Sequence, residues 1–243
     1  MNPLIGRKAW LVAPVCFVIS LAILVTLWWA LEPATVMNLF DQGGTSPVEL
    51  MTLALFALIV PLVWLSPPVG GPARKQAFWC AEWSLLAVMA IVRETDLHKT
   101  LFADLWPEIA AGFKGTVFKM RFLTAWDMPV VPRLFVLFFF ILFFAAVMLP
   151  LARYLIPLAK GFFTLKPVAW SAAVFGGTSV LVLVCDRLPA WYRHAHDGTA
   201  LSDAARAFCA VLEEGGEMMM ALFALLALLQ SYVVFNVLDK KED

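Results

Sequence analysis

The chain has 243 residues, equal numbers of acidic and basic side chains, 62% hydrophobic residues and a mean hydropathy of +0.84. A soluble domain is about 25% charged; this chain is 15% charged, so its excess apolar surface requires lipid rather than water. With no net charge there is no field to attract nucleic acid, and a partner of that class is not expected.

Six apolar runs approach the roughly 20 helical residues that cross a hydrocarbon core: about 10–31, 48–65, 77–92, 134–151, 168–185 and 208–235. They are continuous rather than alternating, which predicts helices and not a barrel. The expected fold is all-α: one integral membrane domain over residues 1–243, a polytopic bundle of about six transmembrane helices. Arg7 and Lys8 precede the first run, and Trp28, Trp29 and Leu31 close it without a small-residue cleavage site. It therefore reads as a signal anchor, not a cleaved peptide. The segment 32–47 holds acids and no Lys or Arg, whereas Arg74 and Lys75, then Arg153, Lys160 and Lys166, then Lys240 and Lys241 fall on the opposite side. The positive-inside rule places both termini in the cytoplasm, and a bacterial inner membrane suits the pattern.

The third run is the shortest and carries Glu82 beside Trp79 and Trp83. Arg74 or Lys75 is the expected partner of Glu82, with a proton-relay role as an alternative. The outer loop 93–133 runs against the charge bias, with six basic residues. In it Leu101, Leu105, Ile109, Phe113, Val117, Phe118 and Phe122 recur near helical spacing, with Lys114, Lys119 and Arg121 between them. That predicts short amphipathic helices in the outer interface, broken by Pro107, Gly112 and Gly115 and anchored by Trp106 and Trp126; a lid packed over the bundle is the competing reading.

The last run opens with Glu213, Glu214 and Glu217. At 100° per residue Glu217 lies about 40° and Glu214 about 100° from Glu213, so all three share one arc, with Asp203 and Arg206 on the same side. Gly215 and Gly216 fall off that arc and suit close helix packing. In Arg93–Lys99, Glu94 and His98 stand four residues apart, a spacing that puts carboxylate and imidazole on one helix face if the helix continues. Asp186 and Arg187 end the fifth run, and the segment beyond it holds Trp191, Tyr192, Arg193, His194 and His196. Six alternating spans bring all of these, including all three histidines, to one membrane face.

A divalent Zn, Mn or Fe ion held by Glu94, His98, Asp186 and Glu213 or Glu217 is the sharpest expectation, with Glu214 or Glu217 as general base toward a bound water. Arg93, Arg187 and Arg206 are the charge partners that would close the site without a metal. The expected function is a metal-dependent enzyme acting on a lipid or lipid-linked substrate; a small cation- or proton-coupled transporter and a non-catalytic subunit of a membrane complex are the alternatives. The four cysteines form no CxxC pair and read as small core residues at lipid depth, with a Cys185–Cys209 disulfide as the alternative at one membrane face. HxxxH, HExxH and P-loop motifs are absent.

Overall fold

A computed structural model describes residues 8–42, 46–65, 73–113, 118, 120–124 and 129–233. Arg7, Lys114, Gly115, Val117, Lys119, Trp126, Lys240 and Lys241 lie outside them. Ten α-helices and no strand occur among the described residues. They are α1 (Val12–Ala30, entered through a 3₁₀ turn at Ala9–Leu11), α2 (Pro33–Phe40), α3 (Pro47–Leu65), α4 (Ala73–Glu94), α5 (Leu97–Leu105), α6 (Pro107–Phe113), α7 (Met120–Thr124), α8 (Val130–Phe163), α9 (Pro167–Ala195) and α10 (Asp203–Val233).

Four helical stretches are long and apolar enough to cross a membrane: Ala9–Ala30, Pro47–Leu65, Val130–Phe163 and Pro167–Ala195. Their outward faces are bare hydrocarbon, as at Val18, Ile23, Ile141 and Phe144, each more than half exposed. Contiguous apolar surface of this kind is rare on soluble monomers, so the fold is consistent with a membrane protein. The third and sixth runs, in α4 and α10, are not among the four. Each carries a buried glutamate, Glu82 in α4 and Glu217 in α10. Helix α10 stands inside the bundle against α1, α3 and α9, while α4 packs on α3 and α8. Ala221, Ala224 and Leu228 of α10 share one core with Phe56, Ile59, Val63, Trp79 and Cys80.

The long helices run alternately up and down. At one end Trp28 Nε1 donates to the Ala204 carbonyl at 3.0 Å, tying the end of α1 to the start of α10. At the other end Trp10 packs on Trp170 and Ser171 Oγ bonds Gln230 Oε1 at 2.8 Å.

Two expected loops are helix instead. Arg153 and Lys160 belong to α8, which reaches α9 through only Thr164–Lys166. Asp186 to His194 continue α9, which turns at His196. In both cases the helix outruns its apolar stretch, because intrahelical hydrogen bonds satisfy the backbone whatever the side chains face. The segment 93–133 does contain short helices, and the chain breaks at Trp106–Pro107 as expected. Their apolar residues do not form one continuous face: Phe102, Phe122 and Val136 pack together with Trp106 and Ile109 at their edge, whereas Leu97, Leu101 and Leu105 point outward.

Candidate functional site

Position in α10 follows from its glycines. A Cβ on Gly215 would stand 2.6 Å from Leu24 Cδ2, and one on Gly216 would stand 2.5 Å from Val182 Cγ2. The glycine side of α10 is therefore seated against α1 and α9. The glutamate arc, on the other side of the helix, turns toward the ends of α3 and α4. Glu217 is 5% exposed.

Helix α4 supplies the facing wall. Arg93 Nη1 donates to Glu217 Oε1 in a short ion pair. Next to it, Glu94, Glu214 and Glu217 bring one carboxylate oxygen each within 4.8 Å of one another. Glu94 Oε1 is buried and has no hydrogen-bond partner. Carboxylates this close repel strongly unless a cation or a proton lies among them, and Arg93 supplies one positive charge.

Glu214 belongs to a second group at the same spacing, with Asp41 and Glu49. Ser46 and Glu49 form a capping box at the start of α3: Glu49 Oε2 accepts from Ser46 N at 2.7 Å, and Ser46 Oγ accepts from Glu49 N at 3.1 Å. That reciprocal pair fixes the Glu49 carboxylate at the helix mouth. Sequence reasoning did not name Asp41 or Glu49. The signals for them were the S-x-x-E spacing and the acid-bearing segment 32–47 without a compensating base.

His98 is not part of this group. Helix α4 stops at Glu94, Asp96 takes a left-handed backbone (φ 49°), and α5 restarts at Leu97. The reversal breaks the four-residue spacing that would have aligned Glu94 with His98. His98 turns back instead: its ring Nδ1 donates to the Val92 carbonyl at 3.1 Å, satisfying one of the last carbonyls of α4. It is 5% exposed, among the rings of Phe118, Phe139 and Phe143. Burial holds its pKa below the usual imidazole value, against the Val92 bond, which favours the proton.

The remaining predicted residues divide. Glu213 lies within electrostatic reach of Asp186, Glu217 and Arg93. Asp186, however, is half-exposed and pairs with its neighbour Arg187 (Oδ2 to Nε, 3.1 Å), so neither reaches into the carboxylate groups. Arg206 is exposed; among the described residues the ion pair to a cluster glutamate comes from Arg93. His196 stacks on Tyr192 with its Nδ1 on the Tyr192 carbonyl, and His194 is exposed, so the HxH pair builds no joint site. Cys185 and Cys209 are buried free thiols, and the disulfide is not formed.

Glu82 is also repartnered. Arg153 Nη1 (3.3 Å) and Tyr154 Oη (3.1 Å) of α8 both donate to its Oε2, where Arg74 or Lys75 had been expected. The sequence separation of 71 residues hid that contact.

The donor set assembled between α3, α4 and α10 is thus all oxygen. Carboxylates without imidazole or thiolate suit hard cations such as Mg, Ca or Mn better than Zn. Fold and site together define an all-helical protein with helices able to cross a membrane and a carboxylate cluster between helix ends. No protein-family model, curated protein or solved structure matches the chain.

Proposed function

We propose that this is a six-span inner-membrane protein, both termini cytoplasmic, whose carboxylate cluster binds a divalent cation at the outer face and uses it on a lipid or lipid-linked substrate. Helix α4, at 22 residues, is about 33 Å long and α10 is longer, so both match a core of about 30 Å. Glu82 of α4 and Glu217 of α10 are buried in the bundle, as intramembrane charges ordinarily are. The exposed stripe Leu97, Leu101 and Leu105 supports α5 as an interfacial helix beside the site.

The observation that carries the reading is the Glu94–Glu214–Glu217 convergence with one buried Glu94 oxygen left unpartnered. Glu94 and Glu217 hold the ion. Such an ion would lower the pKa of a nucleophilic water, and Glu214, shared with Asp41 and Glu49, would be the base placed to take its proton. Asp186 and Glu213 set the charge at the rim.

Elemental analysis and thermal unfolding of the purified protein test this. One equivalent of metal per chain is expected, and chelation should lower the melting temperature. Glu94→Gln or Glu217→Gln should weaken cation binding by more than the roughly 10–100-fold that accompanies loss of a ligand's supporting partner. Protein without metal, indifferent to chelators and to added Mn²⁺, Mg²⁺ or Ca²⁺, would sink the proposal.

A second reading, a static charge lock in an accessory subunit, draws on the Arg93–Glu217 pair. It predicts that Arg93→Glu with Glu217→Arg restores stability and function together, whereas a metal site stays inactive after the swap. A proton or cation path draws less support: between Glu82 and Arg93 the residues of α4 are Trp83, Ser84 and then an apolar run.

A further inference from the structure

The far end of α4 carries a second charged site of opposite sign. Arg74 and Lys75 of α4 and Arg153 of α8 line a cleft of about 440 Å³ with Phe78 as its aromatic wall. Arg153 is held in place from three sides: its guanidinium stands 4.8 Å above the Phe78 ring, approaches the Tyr154 ring, and bonds Glu82 Oε2 at 3.3 Å. Glu82 is buried and balances one of the three cations. Two remain, and both sit in the first turn of a 22-residue helix. Cations there oppose the helix dipole, whereas an anion at the same place is favoured by it.

We propose that this cleft binds the phosphate of an anionic phospholipid headgroup, with the half-exposed Phe78 leading toward the acyl chains. Arg74 and Arg93 are nineteen residues apart on one helix, about 28 Å at 1.5 Å per residue. That is close to the hydrocarbon thickness of about 30 Å. The basic cleft and the acidic cluster therefore stand at opposite interfaces, and positive charge at the cytoplasmic one faces anionic lipid. The assignment rests on the spanning reading of α4 and not on any metal.

The test uses the full chain in neutral detergent, titrated with short-chain phosphatidylglycerol, short-chain phosphatidylcholine and inorganic phosphate, and read by binding and by melting temperature. Phosphatidylglycerol should bind at least tenfold more tightly than phosphatidylcholine. Arg74→Gln with Lys75→Gln should remove that preference while leaving the Glu82–Arg153 pair intact and the fold unchanged. Arg153→Lys, which keeps the charge and loses the forked geometry, should weaken binding without abolishing it. Equal binding of both lipids, or full preference in the double variant, overturns the assignment. Inorganic phosphate competing as strongly as the lipid also overturns it, in favour of a soluble phosphate. Protein that stays dispersed without detergent refutes the spanning reading instead, so the two failures are separable.

Discussion

His98 shows how one side chain can be spent on architecture while looking like chemistry. Its imidazole closes a carbonyl of α4 and packs among aromatic rings, and burial disfavours its charged form. The unfolded chain takes up a proton near the ordinary value of 6.5, while the folded chain resists it. The His98 contribution to stability is therefore fully present above about pH 6.5 and is lost as pH falls below it. Unfolding of wild type and His98→Phe between pH 8 and 5 checks this: wild type should lose the extra increment on acidification, and His98→Phe should not. Identical pH slopes would remove His98 from the account. Glu94, four residues away, has the opposite fate: it lies among other carboxylates, and one of its buried oxygens has no hydrogen-bond partner. Nothing in the spacing of the two residues distinguishes them. The left-handed Asp96 between them does.

At the scale of the element, α10 is positioned by the two residues without side chains. Gly216 faces Val182, whose branched Cβ leaves it little rotamer freedom, while Gly215 faces the far end of Leu24, which can swing aside. Gly216→Ala should therefore cost more stability than Gly215→Ala, about 1–3 kcal/mol for the overpacked site against less for the other. Thermal unfolding in detergent gives the comparison, and equal losses would contradict the contact geometry. Gly216→Ala should also rotate or lift the glutamate arc, so cation binding should fall with it. Helix existence was legible throughout: each apolar run of the sequence lies in a helix over its described residues. Helix ends were less so, because α8 and α9 continue beyond their apolar stretches into charged residues.

Over the whole molecule, one carboxylate cluster and one basic cleft stand at opposite ends. Asp41, Glu49, Glu94, Glu214 and Glu217 gather at one, and Arg74, Lys75 and Arg153 at the other. The proposed orientation is open to labelling. With the native cysteines replaced by Ala, Thr199→Cys in the turn after α9 should react with an impermeant thiol reagent added outside intact cells. Lys166→Cys, between α8 and α9, should react only after the membrane is opened. The reverse pattern would invert the topology, and labelling of both from outside would break the six-span arrangement.

The sequence by itself determined the all-helical class, the lipid-facing helices and the arc of glutamates on α10, because hydropathy and helical phase are local properties. It also placed Glu94 at the same end as that arc, because helices that alternate in direction decide which ends meet. Tertiary structure decided which of those groups touch. It brought Asp41 and Glu49 in, turned His98 and Asp186 away, chose Arg93 over Arg187 and Arg206, and gave Glu82 to Arg153. Side-chain contacts between helices depend on rotation about each axis. Here that rotation is set by distant features such as two glycines and one left-handed residue.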